Sequence, residues 1–186
     1  MKEGIHYWIV VCIIIKYVNM KNRVNKKIIK VPTHLILDVD GVFSTGQFLY
    51  TEDGKFAKVF GPHDNDGIKM VKKYLNVCCI SADKRGWGIT QKRIVDDMGL
   101  RLELVPEAER MEWLQKNFDL KRSIYMGDGI FDAQVFPLFL YSVVPQNAFY
   151  LAKERADYVT KVNSGEGAVA EACLHIMERF FEPFIL

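Results

Sequence analysis

From Val31 onward the chain alternates short β-branched runs with longer amphipathic ones, and no other property of its 186 residues restricts the fold so far. Strand patterns occupy Leu35 to Val39, Val77 to Ile80, Leu102 to Val105, Ile124 to Met126 and Ser142 to Val144, with a short one at Tyr158 to Thr160. Helical spacing runs near Asp66 to Tyr74, Ile89 to Met98, Glu107 to Asn117, Asp132 to Phe139, Ala148 to Ala156 and Gly167 to Phe180. Units of this length predict a Rossmann-like three-layer α/β/α sandwich, a parallel sheet covered by helices on both faces. In such a sheet the C-terminal ends of the strands converge on one crevice. One segment breaks the alternation: between the first strand and its helix, QFLY and FAKVF flank the turn signal TEDGK. That pattern predicts a β-hairpin projecting over the strand ends. In a chain with no inserted cap domain, it would act as a partial lid.

Residues 1 to 30 read as an extension ahead of a domain over residues 31 to 186. YWIVVCIII, at Tyr7 to Ile15, is shorter than the roughly 20 apolar residues a bilayer span needs, and no small-residue cleavage site follows it. A packed extension or poorly ordered leader outweighs membrane-surface anchoring. Of the 25 basic and 23 acidic residues, the extension holds seven and one, leaving 18 against 22. The domain is therefore mildly acidic and lacks a basic stripe interleaved with aromatics, which argues against nucleic acid as a partner. Four cysteines without a CxxC pair fit a reducing, cytoplasmic setting without structural zinc.

The chemistry concentrates at the strand ends. LILDVDG places Asp38 and Asp40 directly after an apolar strand, and IYMGDGIFD delivers Asp128 after another, with Asp132 four residues on. In extended backbone, residues i and i+2 share a side, so Asp38 and Asp40 can face one crevice. Carboxylates gathered there repel one another unless a cation neutralises them. Oxygen ligands without His or Cys point to Mg²⁺, held by Asp38, Asp128 and the main-chain carbonyl of Asp40. Asp132 fits better behind the ligands or beside a basic group. A third strand, VCCIS, ends at Ser81, whose hydroxyl could donate to a phosphoryl oxygen. Together these residues suit phosphoryl transfer through an aspartyl-phosphate, with Asp38 attacking phosphorus and Asp40 as general acid and base. A positive side chain should offset charge on the phosphoryl group. Arg110, near the head of the helix after the third strand, is the first choice; Lys84 and Arg85 are rivals. His63 could face the crevice and bind a substrate carboxylate or hydroxyl, or it could cap a helix with Asp64.

LILDVDG, Ser81 after a strand, a basic residue at the head of a helix, and MGDGIFD resemble the four motifs of the haloacid dehalogenase superfamily. DVDGVFSTGQFLY, the DGIK after FGPHDN, RADYVT and SGEGAVAEACLHI are similar to its capless 3-deoxy-D-manno-octulosonate 8-phosphate and acylneuraminate-phosphate phosphatases. The resemblance covers about Leu35 to Phe180. It implies Asp38 as nucleophile, Asp40 as acid/base, Ser81 as the phosphate-binding hydroxyl, Asp128 as metal-binding acid and Asp132 as the downstream acid. It implies a role for Arg110 where the family usually has Lys, a phosphorylated sugar acid as substrate, and a homotetramer in which a neighbour's hairpin, from Phe43 and Gln47 on, helps cover the site. Three departures bear on the substrate: SAD stands for the usual TGR, His63 for Arg, and GDG for GDD. They can preserve the phosphate chemistry while changing the sugar recognised. The alternatives are another small phosphate ester, a phosphate-accepting receiver domain, or a non-enzymatic interaction subunit.

Overall fold

The computed structural model describes residues 31–185. The chain runs from β1 (His34–Asp38) into a hairpin, β2 (Ser44–Thr51) and β3 (Gly54–Phe60), then through α1 (Asp64–Val71) to β4 (Asn76–Ser81). Next come α2 (Trp87–Gln91), continued by a wider π-type helix over Lys92–Asp97, and β5 (Arg101–Leu104). A 3-10 turn over Glu107–Glu109 enters α3 (Arg110–Asn117), followed by β6 (Ser123–Met126), α4 (Ile130–Val135) and β7 (Tyr141–Val144). The chain ends with α5 (Tyr150–Arg155), β8 (Tyr158–Val159) and α6 (Ala168–Phe180).

Six strands form one parallel sheet in the order β5-β4-β1-β6-β7-β8, and β2-β3 is a separate antiparallel ribbon. The apolar runs that announced the strands are now buried on both sides. Leu35 and Leu37 enter a core with α1 and α6, while Ile36 enters the opposite core with Tyr125 and Leu114 of α3. The adjacent Cys78 and Cys79 likewise fall into opposite cores, as a period of two requires. All three β1 aliphatics are fully buried, each contributing about 1.5–3 kcal/mol relative to exposure. Helices therefore cover both faces, the expected three-layer sandwich, and among the described residues no cap domain is inserted.

Helix boundaries differ more from expectation than strand boundaries do. The helix predicted from Asp66 starts at Asp64, because the N–H groups of Asp66 and Gly67 already bond to the His63 carbonyl. The one predicted over Asp132 to Phe139 starts at Ile130 and gives way after Val135 to a 3-10 turn, Phe136–Leu138, which contains Pro137. A proline has no N–H to donate, so the α-helical ladder cannot pass through it. Asp64 is buried and accepts bonds from the N–H groups of Val169 and Ala170 at 3.1 and 3.2 Å, capping the first turn of α6. Gly67 lets α1 lie against α6, since a Cβ there would sit 2.5 Å from the Ala170 Cα. Among the described residues no helix is long and apolar enough to cross a membrane. The expected extension, with its apolar run and Cys12, lies outside the described residues.

Candidate active site

Leu37 pairs with Met126, so β1 and β6 end side by side. The chain travels from β1 through β4 to β5 on one side, then crosses back to β6 on the other. The crevice outside β1 and β6 is thus the topological switch point, where open α/β sheets bind ligands. Gly41 opens the loop after β1 with φ +85°, and a Cβ there would lie 2.1 Å from Asp128 Oδ2. A glycine both permits the turn and admits the Asp128 carboxylate against the loop.

The strand-end wall is a carboxylate cluster stitched by one arginine. Oxygens from Asp38, Asp128 and Asp132 lie within 4.8 Å of one another. Arg110 at the head of α3 is buried; it donates from Nη2 to Asp38 Oδ1 at 3.1 Å and from Nη1 to Asp132 Oδ1. Tyr125 also donates to Asp132 Oδ1, at 2.6 Å, and the amides of Asp128 and Gly129 donate to its Oδ2 at 3.0 and 2.9 Å. Both oxygens of Asp132 are therefore occupied by donors, so it shapes the turn carrying Asp128. Asp38 and Asp128 remain as the carboxylates able to hold a cation.

Electrostatics point the same way. Burial pushes the Asp38 carboxyl well above its ordinary range; Arg110 opposes that rise, and Asp132, Asp128 and Asp40 add to it. Asp128 is pushed up to about 7, first by burial and then by Asp132. Burial opposes the charge on Arg110, yet Tyr125, Asp38 and Asp132 outweigh it and raise its pKa. A buried site with more carboxylates than cations, and oxygen as its only donor, suits a hard divalent ion.

The opposite wall comes from the hairpin and the loop after β4. Lys58 of β3 has a fully buried side chain whose Nζ lies 2.7 Å from Asp40 Oδ1, 2.8 Å from Asp83 Oδ2 and 2.7 Å from Thr90 Oγ1. Lys55 also pairs with Asp83, and its Nζ sits 3.3 Å from the centre of the Phe48 ring. Burial works to raise the Asp83 pKa, but hydrogen bonds from Lys55 and Lys58 prevail and lower it to about 2. Between the walls lies a cavity of about 510 Å³.

Asp38, Asp40, Arg110, Asp128 and Asp132 all line this cavity, together with Lys84 and Arg85. Lys84 and Arg85 are exposed, whereas Arg110 is locked beside Asp38. Ser81 is buried next to the cavity and donates to Asp40 Oδ2 at 3.1 Å. His63 and Asp64 do not join the others: His63 is exposed away from the cavity, its ring caps nothing, and Asp64 is committed to α6. Sequence reading missed Lys58, Asp83 and Thr90. A lysine within the apolar run FAKVF was the one available signal.

No family model matches the chain. KdsC of Escherichia coli K12, a 3-deoxy-D-manno-octulosonate 8-phosphate phosphatase, is 31% identical over 152 residues, 75% of this chain and 76% of that protein. The chain belongs to the KdsC-like phosphatases of the haloacid dehalogenase superfamily. The cobalt-bound deoxy-D-mannose-octulosonate 8-phosphate phosphatase of Haemophilus influenzae, at 27% identity, superposes with a TM-score of 0.69 over 81% of this chain and 90% of that one. The Moraxella catarrhalis 3-deoxy-D-manno-octulosonate 8-phosphate phosphatase, solved with magnesium, phosphate and a KDO molecule, shares the fold at 22% identity. Its TM-score is 0.70, over 81% of this chain and 88% of that one. The overall fold is thus shared with both of these phosphatases.

Proposed function

We propose that the chain is a Mg²⁺-dependent phosphomonoester hydrolase acting on a phosphorylated sugar acid, with 3-deoxy-D-manno-octulosonate 8-phosphate and acylneuraminate 9-phosphates the first candidates. The observation that carries this reading is the pairing of Asp38 and Asp128 at the switch point, with Arg110 donating to Asp38. Asp38 and Asp128, with the Asp40 main-chain carbonyl, would hold Mg²⁺, which when bound would orient the carboxylate and offset its repulsion from the phosphate dianion. Asp38 attacks phosphorus, the bond to the sugar oxygen breaks, and Asp40 delivers its proton to that oxygen. Asp40 then takes a proton from the water that hydrolyses the aspartyl-phosphate. Arg110 offsets charge around the nucleophile, Lys84 and Arg85 supply positive charge at the cavity mouth, and Ser81 stands ready to turn its hydroxyl from Asp40 to a phosphoryl oxygen.

The test is phosphate release from a panel of octulosonate, acylneuraminate and hexose phosphates, with and without Mg²⁺. Turnover that needs the metal, and falls at least about 1,000-fold in Asp38→Asn, is expected. A folded, metal-binding chain inactive on every ester would overturn the reading, and equal rates on all esters would remove the sugar-acid assignment.

A homotetramer belongs to the same proposal. Leu49, Phe56 and Val59 of the hairpin do not line the cavity and are about half exposed, at 46%, 58% and 47%. Such a surface favours burial against another copy. Light scattering should give four copies, and a monomer at working concentration would count against it. A cytoplasmic setting fits Cys78, Cys79 and Cys173, which are free and buried.

A further inference from the structure

The hairpin reaches into the site through a lysine that a regular strand would have turned the wrong way. Phe48 pairs with Lys58 and Leu49 with Ala57, but Tyr50 pairs with Lys55. Phe56 is the extra residue of a bulge, and it reverses the in-and-out alternation along β3. Lys55 and Lys58, three apart, consequently face the same side and both meet Asp83. The loop after β4 accommodates them at Gly86, where a Cβ would lie 2.2 Å from Asp83 Oδ2 and 2.6 Å from Lys58 Cε.

Lys58 spends its donors on named partners. It lies 2.7 and 3.0 Å from the two oxygens of Asp40, while Asp83 and buried Thr90 fix its own position. With Ser81 donating to Asp40 Oδ2 as well, the Asp40 carboxylate is gripped from two directions. A carboxylate on a loop just past a strand end would otherwise sample several rotamers, and proton transfer demands one.

We propose that Lys58 is a positioning residue that acts through Asp40, holding the carboxyl group where it can protonate the leaving oxygen, and that Asp83 keeps Lys58 in place. The step served is cleavage of the ester P–O bond: Asp38 forms the new bond to phosphorus, and the electron pair of the old one goes to the leaving oxygen. Asp40, which enters the step protonated, gives its proton to that oxygen and is left as the carboxylate that Lys58 and Ser81 hold. The inference rests on the phosphatase reading above.

Leaving-group dependence separates this role from a structural one. A sugar alkoxide needs that proton, whereas 4-nitrophenolate leaves without it, and kcat/KM reports on bond cleavage and not on the later hydrolysis common to both esters. Lys58→Met should lower kcat/KM on the best sugar phosphate of the panel about 100-fold, and on 4-nitrophenyl phosphate at least tenfold less. Lys58→Arg should recover part of the sugar-phosphate rate. An equal fall on both esters overturns the inference and leaves the phosphatase intact; a native chain inactive on all esters overturns both. If Lys58→Met loses its cooperative unfolding transition, Asp83→Asn takes its place. A smaller loss with the same bias is expected there, and an unbiased loss overturns the inference.

Discussion

On the strand-end wall of the crevice Asp38, Asp128 and Asp132 face a single guanidinium, whereas on the hairpin wall Lys55 and Lys58 face Asp40 and Asp83. Both walls are largely buried and both are built from carboxylates and cations. Their balance differs: the first is left negative when its acids ionise, and the second is neutral. Burial magnifies that difference, because an uncompensated charge costs far more away from water than at the surface. The negative wall is thus adapted to receive a divalent cation, and the neutral wall is complete without one. Geometry agrees, since Asp128 keeps free oxygens while Asp40 is already gripped by Lys58 and Ser81.

The sharpest way to break the comparison is to remove one cation from each wall. Arg110→Met should destabilise the metal-free chain by about 3–5 kcal/mol, as it leaves Asp38 and Asp132 buried together. Lys58→Met should cost less, about 1–3 kcal/mol, because Lys55 still faces Asp83 and Ser81 still donates to Asp40. Denaturant unfolding of both variants checks the order, and equal losses would mean that the walls do not differ in charge balance.

Next in size is the response to alkali. A carboxyl raised in the folded state favours folding while protonated, and that contribution is lost as pH climbs from the unfolded value of 3.8 through the folded value of about 7 at Asp128. The metal-free chain should accordingly lose about 2–4 kcal/mol between pH 5 and pH 8. Magnesium should flatten that slope, and a midpoint that is insensitive to Mg²⁺ at pH 8 would argue against a cation on this wall. The smallest effect has the opposite sign. Asp83, lowered to about 2, contributes stability above its unfolded value of 3.8 that disappears as pH falls through 2. Comparing native and Asp83→Asn chains between pH 5 and pH 2 should show a native-only loss of about 1–2 kcal/mol, reduced by partial exposure of the carboxylate.

Much of the strand-end wall was legible beforehand. Asp38, Asp40, Asp128 and Asp132 each follow an apolar run at a fixed offset, and parallel strands bring such offsets to one edge whatever the details of packing. Arg110 was less certain, because the head of a helix leaves the direction of a side chain open; burial beside Asp38 and Asp132 decided it. The setting of Asp64 was not legible beforehand because its partners lie far along the chain, at Val169 and Ala170. Lys58 was missed for a similar reason, since its orientation depends on the bulge at Phe56 and on Asp83 and Thr90, which meet it from beyond β4.

By itself the amino-acid sequence determined the alternation of strand and helix, the parallel sheet, and the delivery of acids to one edge. Each of these follows from local hydrophobic period and short-range turn chemistry. Only the tertiary structure decided which carboxylates stay free and which are occupied, because that depends on donors brought together from β3, β4, β6 and α3. Charge balance in a buried crevice belongs to the assembled fold, where desolvation makes every pairing count.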